Sequence, residues 1–314
     1  METIRGKSPL RISFAGGGTD LNYIFDRIGG AVVSTTIDKY CHMSIEKRKD
    51  KKIFVNEKVL NEMREPLAYH SVQIYKQKIG FNLTYYNDLP VGSGLGSSSS
   101  FSILFVKIMN RLEKKAMNME SVIKKSHEIE TSFKEGGWQD QYATYLGGFN
   151  FMNFTKKGIY TNPIKIKKEK LLELKEHLVL MYVGGSKEDR DVHKELRENT
   201  ANDTKELERL IKTKKLAKDS EWALWKDIHD LGPILHKGWE YKRNKYTSNS
   251  RVNKIYNTAI KNGATGGKLC GSGQAGHFIF FCEPEDKNKL VNSLKDCQEV
   301  KFNFSEEGAQ IWKA

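Results

Sequence analysis

The chain has 314 residues, of which 38% are hydrophobic and 29% charged, with a formal net charge of +13. That length supports a buried core in one large or two ordinary domains, and no apolar run approaches the ~18 residues of a spanning helix, so neither a membrane span nor a signal peptide is expected. The positive charge admits a nucleic acid, a membrane surface or a polyanionic small substrate as partner, but lysines interleave with Glu and Asp and no basic arm stands out.

The cysteines, Cys41, Cys270, Cys282 and Cys297, form no C-x-x-C pair, and no zinc spacing appears with the eight histidines. Reduced thiols in a cytoplasmic protein are expected.

Residues 4–15 alternate and then turn apolar at Leu10, Ile12 and Phe14, predicting a strand that runs into Ala15-Gly16-Gly17-Gly18-Thr19-Asp20. A triple glycine lets the chain turn sharply and lets a ligand approach the backbone, and Asp20 is placed to cap a short segment over 21–28. An ordinary turn with an N-cap satisfies the same residues. Residues 31–37 and 40–46 read as two strands about a tight connection at Asp38-Lys39. A short strand over 53–55, a helix over 67–79 and an alternating strand over 81–86 follow.

Next comes Pro90-Val91-Gly92-Ser93-Gly94-Leu95-Gly96-Ser97-Ser98-Ser99-Ser100, between a strand and a helix. Its glycines can bring backbone N–H groups up to a phosphate, and its serines can cap the helix or offer hydroxyls to a phosphate or a metal. The helix carries one apolar stripe, Phe101, Leu104, Phe105, Ile108, Met109 and Leu112, which is core. A second helix over 119–133 puts Ile123, His127 and Glu130 on one line. A carboxylate near an inward face needs a partner, either a divalent cation or solvent at the boundary. Residues 135–142 read as a glycine-framed loop, with Asp140 a candidate general base and Trp138 a packing or sugar-stacking residue.

Strands are expected over 149–154 and 160–166. The polar run 165–170 is the candidate boundary between domains 1–168 and 169–314. A strand over 177–183 leads to Gly184-Gly185-Ser186-Lys187. From 188 to about 245 the pattern is helical, with Leu207, Leu210, Ile211, Trp222, Trp225, Ile228, Leu231 and Leu235 on buried sides and a break near 212–218. A helix over 250–262 ends at Gly263. Gly271, Gly273 and Gly276 spell G-x-G-x-x-G, but a strand over 277–282 follows where the dinucleotide fingerprint opens a helix, so a tight hairpin is expected. A helix from Pro284 and a strand over 299–304 close the domain.

Three glycine clusters, at 16–20, 90–100 and 266–276, together resemble the GHMP kinases. The middle one matches that family's phosphate loop, Pro-x-x-x-Gly-Leu-x-Ser-Ser, through Pro90, Gly94, Leu95, Ser97 and Ser98, with Ser99 where the family often has Ala. It is not a Walker A loop, since no Lys follows its last glycine. Within the family the chain is most similar to sugar-1-kinases that act on D-glycero-D-manno-heptose 7-phosphate, through residues 10–20, 137–142, 239–243 and 266–269.

The resemblance implies an α+β fold of two domains, the first like the second domain of ribosomal protein S5 and the second ferredoxin-like, with the active site between them. It implies ATP-dependent phosphorylation of the anomeric hydroxyl of a small-molecule sugar phosphate, giving heptose 1,7-bisphosphate for nucleotide-activated heptose and surface polysaccharide. It puts Gly92, Ser93, Gly94, Leu95, Gly96, Ser97 and Ser98 on the triphosphate and Mg2+ on Ser98 and Glu130. It makes Asp140 the catalytic aspartate, sets Arg11 beside the transferring charge, and lays Gly17, Gly18, Thr19 and Asp20 on sugar hydroxyls. The substrate phosphate is expected on Lys187, Arg190 or Arg243; relatives commonly carry Ser-Arg where this chain has Ser186-Lys187, and Lys lacks the bidentate fork. A fucokinase-like member of the family shares all three clusters. Outside enzymes, a basic RNA-binding protein accounts for the charge, but the Ser98, Glu130 and Asp140 set favours the kinase and no nucleic acid or membrane partner.

Overall fold

The computed structural model describes residues 2–90, 92–184, 197, 204–244 and 247–314. Its frame is a long antiparallel pair, β1 (Thr3–Ala15) and β2 (Gly30–Lys47), with α1 (Asn22–Ile28) between them in sequence. Every residue of β1 from Ser8 onward is buried, as is all of β2 up to Ile37, whereas the second half of β2 alternates with Cys41, Met43 and Ile45 inside. Continuous burial requires a layer on each face; alternation leaves one face toward water.

The expected turn at Asp38-Lys39 is absent. Pro9 faces Tyr40 and Leu10 faces Ile37, so the two polar residues are bulged out of an unbroken strand. The Asp38 carboxylate accepts the backbone N–H and side-chain amide of Asn303, both at 2.7 Å.

Beyond β2 the first sheet continues in two directions. Strand β5 (Phe81–Asn87) pairs with its second half, followed by β3 (Ile53–Val55) and β4 (Lys58–Val59); β6 (Phe149–Thr155) pairs with its first half, followed by β7 (Gly158–Pro163). Helices α2 (Pro66–Tyr75), α3 (Ser97–Leu112), α4 (Met119–Thr131) and α5 (Gln139–Leu146) pack together, with α3 and α5 on β1 and β2. The expected stripe on α3 is buried, and Ile103 and Val106 are buried as well, because α4 and α5 cover the sides the sheet leaves open.

The second half contains α6 (Lys168–His177), β8 (Leu178–Gly184), α7 (Thr204–Trp225), α8 (Leu231–Lys242), α9 (Ser250–Lys261), β9 (Ala264–Leu269), β10 (Gly276–Cys282), α10 (Lys287–Ser293) and β11 (Gln298–Glu299). Its sheet runs β11-β8-β10-β9, all antiparallel. Helix α7 passes unbroken through 212–218; the interruption falls later, at the 3-10 turn Ile228–Asp230. Ile211, Trp222 and Trp225 are about half exposed rather than buried, while Leu210, Leu216 and Leu224 face inward.

Leu10, Ile12 and Phe14 of β1 share one core with Leu216 and Leu224 of α7 and Leu180, Ile279 and Phe281 of the second sheet. This core is the layer that buries the other face of the β1–β2 pair. Trp239, Tyr256 and Phe278 fill the far side of the second sheet. The expected closing strand over 299–304 is replaced by β11, β12 (Phe304–Ser305) and β13 (Gln310–Lys313); the last two return to the first sheet, on β2 and β1. All four cysteines are free thiols. Among the described residues, no helix is long and apolar enough to cross a membrane.

Candidate active site

A cleft of about 550 Å3 opens between the two halves, lined by the glycine turn after β1, the loop before α3, the start of α5, and Lys242, Lys268 and Ser272 from the second half. The loop between β5 and α3 is held in one shape by its glycines. Gly92, Gly94 and Gly96 have φ of +80°, +77° and +77°, a region costly for residues with a Cβ. A Cβ on Gly94 would lie 2.6 Å from the carbonyl oxygen of Cys270, so glycine is also required by close packing against the β9–β10 connection.

Leu95 is fully buried and anchors the loop, and its carbonyl accepts the N–H of Arg11 at 2.9 Å. The ring Nδ1 of His277, in β10, donates to the Ser93 carbonyl at 2.8 Å. Gly92, Gly94, Gly96, Ser97 and Ser98 line the cleft, while the side chains of Ser93 and Leu95 are buried in the protein.

The serines do not cap α3. Gly96 is the N-cap, without a side-chain hydrogen bond, and the hydroxyls turn elsewhere. Ser98 and Ser99 donate to one oxygen of Glu130 at 2.8 and 3.0 Å, and the amide of Gln141 donates to its other oxygen at 2.8 Å. Burial raises the Glu130 carboxyl to about 7, with the charge of Asp140 adding to the rise and the three hydrogen bonds opposing it. The other end of the Gln141 amide, Oε1, is buried and finds no hydrogen-bond partner. An oxygen-rich pocket with an orphaned carbonyl oxygen suits a hard divalent cation.

The loop expected over 135–142 gives way at Gln139 to α5, which sets Asp140 in its first turn. The Arg11 guanidinium grips the Asp140 carboxylate with two bonds, Nε to Oδ1 at 2.6 Å and Nη2 to Oδ2 at 2.8 Å, and spends Nη1 on the Gly94 carbonyl at 2.7 Å. Arg11 is almost wholly buried while Asp140 remains about a quarter exposed, so the pair is fixed from behind and open toward the cleft.

Asp20 does not cap the helix that follows it. Leu21 is the N-cap of α1, and the Asp20 carboxylate accepts the N–H of Gly18 at 3.0 Å, the N–H of Gln139 at 3.1 Å and the Gln139 amide at 3.2 Å. It therefore ties the glycine turn to the start of α5, and burial raises its pKa. Gly17 and Gly18 line the cleft; the Thr19 hydroxyl is used up on Gly16 and Ala31 behind it. Trp138 packs rather than lining the cleft: its ring stacks on His127 at 3.7 Å and its N–H donates to Asn22 at 2.7 Å.

Of the cations expected on a substrate phosphate, Lys187 and Arg190 lie outside the described residues. Arg243 pairs with Glu240 at 2.9 Å and does not line the cleft. Lys242 and Lys268 line it instead. Lys268 is buried and donates to the Ser13 carbonyl at 2.8 Å, and burial pulls its pKa down to about 8. The signal for it was a lysine directly after a glycine pair and before an apolar residue, Gly266-Gly267-Lys268-Leu269, where a solvent-facing lysine has no reason to sit.

Residues 58–148 match the model of the GHMP kinases N-terminal domain. The chain is 34% identical to a D-glycero-alpha-D-manno-heptose 7-phosphate kinase of Campylobacter jejuni, with all of both chains covered. Among solved structures it superposes on a D-glycero-D-manno-heptose 1-phosphate kinase from Bacteroides thetaiotaomicron with TM-score 0.80 and 29% identity, 99% of each chain being covered. A sugar kinase of Campylobacter jejuni gives 0.75 at 32% identity, covering 100% of this chain and 99% of the other. The fold alone is shared with Lactococcus lactis galactokinase, at 16% identity and TM-score 0.79 over 98% and 95% of the two chains.

Proposed function

The chain belongs to the GHMP kinases, enzymes that transfer phosphate to an alcohol, and on that premise we propose that it phosphorylates the anomeric hydroxyl of D-glycero-D-manno-heptose 7-phosphate to the 1,7-bisphosphate, using ATP and Mg2+. The observation that carries this reading is the convergence, at one cleft, of the glycine loop, the Ser98–Glu130 pair and the Arg11–Asp140 pair. The name of the full-length relative supports heptose 7-phosphate as the substrate; a place in nucleotide-activated heptose and surface polysaccharide synthesis in the cytoplasm belongs to the same proposal and rests on the family resemblance alone.

Phosphoryl transfer asks a protein for position and charge neutralisation more than for covalent chemistry. Backbone N–H groups of the 92–98 loop and the first turn of α3 hold the triphosphate at a helix N-terminus. Ser98 and Glu130 would hold Mg2+, which would supply neutralisation of phosphate charge. Asp140 accepts or orients the proton of the attacking hydroxyl, and Arg11 keeps its carboxylate at one angle beside the developing charge. Gly17 and Gly18 offer backbone to the sugar, with Asp20 holding their turn in place. Residues 1–168 bring the phosphate loop and the catalytic pair; residues 169–314 close the other wall with Lys242 and Lys268.

An ATP-consumption assay over a panel of sugars with and without a terminal phosphate tests the proposal, with phosphorus NMR locating the new phosphate. Heptose 7-phosphate as preferred substrate, with product phosphate at C1, is the expected outcome. Preference for free fucose or galactose would replace the substrate while leaving the kinase, and phosphate on another carbon would overturn the position.

A further inference from the structure

At the end of the second sheet remote from the cleft, three side chains from separate parts of the chain converge. They are His177 at the end of α6, His229 in the 3-10 turn after α7, and Glu283 just beyond β10. One ligating atom from each lies within 4.8 Å of the others. His177 Nε2 is 3.2 Å from one oxygen of Glu283 and His229 Nε2 is 3.9 Å from the other. Strand β10 starts against Ser93 at the cleft and runs seven residues away from it, so the cluster stands roughly 20 Å from the phosphate loop.

The outer contacts fix both rings. His177 Nδ1 is 2.8 Å from the Glu173 carbonyl oxygen, which can only accept, so Nδ1 carries a proton, and Nε2, aimed at the Glu283 carboxylate, is the nitrogen that a metal would take in exchange for a proton. His229 Nδ1 is 2.9 Å from the Asp227 carboxylate, and the same argument leaves its Nε2 free to ligate. A carbonyl or carboxylate behind each imidazole is the arrangement that orients metal-bound histidines. Stacking of the His177 ring on Phe281, at 5.0 Å, further restricts it.

We propose that His177, His229 and Glu283 form a binding site for a divalent transition metal of the zinc class, separate from the Mg2+ chemistry of the cleft. Ligands of a tetrahedral Zn2+ with bonds near 2.0–2.1 Å stand about 3.3 Å apart, so the observed spacings need only small side-chain rotations. Two imidazoles and one carboxylate select zinc over magnesium or calcium, which require oxygen ligands. His177 is buried, whereas His229 and Glu283 are 49% and 40% exposed, which leaves a fourth position open to water. The bound ion ties the α6–β8 junction, the α7–α8 turn and the end of β10 into one cross-link. The ligands are 52 and 54 residues apart in sequence, so no short spacing announces them.

The test uses the full-length protein stripped with chelator, in excess Mg2+, titrated with Zn2+ by calorimetry and with Co2+ by absorption. The expected result is one equivalent bound at micromolar affinity or tighter, a tetrahedral Co2+ spectrum, and a zinc-dependent rise in Tm. His229→Gln and Glu283→Gln, both at exposed positions, should each weaken binding by about 100-fold and leave kinase turnover unchanged. Asp227→Asn should weaken it by about 10-fold through the ring it orients. Absence of stoichiometric binding, or binding that persists in the His229→Gln/Glu283→Gln double variant, overturns the site.

Discussion

Two carboxylates on neighbouring helices, Glu130 on α4 and Asp140 on α5, are given different work by their partners. Asp140 is held by a guanidinium and stays open to the cleft; Glu130, on the wall of the same cleft, is held by two hydroxyls and an amide. Asp140→Asn keeps the shape but removes the proton acceptor and one charge from the Arg11 pair. Turnover should fall about 100-fold or more while nucleotide binding, read by calorimetry, stays within a few-fold.

For Glu130 the pH dependence follows from its folded pKa of about 7, above the unfolded 4.5. Between those values the folded chain holds the extra proton, so this residue's contribution to stability is present in acid and is lost as pH rises through about 7. Without Mg2+, Glu130→Gln should therefore gain Tm relative to the native chain as pH rises from about 6 to about 8, while its Mg2+-supported turnover falls about 100-fold. Parallel melting curves and initial rates over that range check both signs.

At the scale of elements, the loop before α3 depends on glycine for reasons of both backbone and packing. Gly94→Ala incurs about 1–2 kcal/mol for its left-handed backbone and drives a methyl onto the Cys270 carbonyl. Gly92→Ala incurs only the first cost, since nothing lies within 4 Å of its Cβ position. Thermal unfolding should place Gly94→Ala below Gly92→Ala, by about 1.5 °C for each kcal/mol of difference in a chain of this length. Equal Tm values would mean that the loop does not lean on the second half.

This loop and the helix after it were legible because glycine spacing and the 3.6-residue stripe are local signals. Helix α5 was not, because it is eight residues long and the side chain satisfying its first N–H is Asp20, 119 residues away. The Asp38-Lys39 bulge was misread as a turn for a similar reason: two polar residues interrupt the pattern, and only the partner strand reveals that pairing resumes beyond them.

At the scale of the whole molecule, the halves are joined by one core and by single polar contacts across it. Lys268 on the second sheet reaches Ser13 on the first, with a folded pKa of about 8 against 10.5 when exposed. A depressed lysine destabilises the fold while it is charged, and that cost fades as pH climbs from about 8 toward 10.5. The Tm of Lys268→Met minus that of the native chain should therefore shrink as pH rises from about 7 to about 10; a constant difference would show that Lys268 titrates normally.

From residue order alone came the phosphate loop between a strand and a helix and the family resemblance, because each rests on patterns a few residues long; the α+β class followed from the resemblance. Which oxygens Glu130 receives, which cation grips Asp140, and the displacement of Arg243 by Lys242 and Lys268 in the cleft were decided by the tertiary structure. These contacts join residues 32, 129 and 255 positions apart, as Ser98 to Glu130, Arg11 to Asp140 and Ser13 to Lys268. Chain entropy keeps such groups apart until the common core of β1, α7 and the second sheet has closed, so their chemistry exists only in the folded molecule.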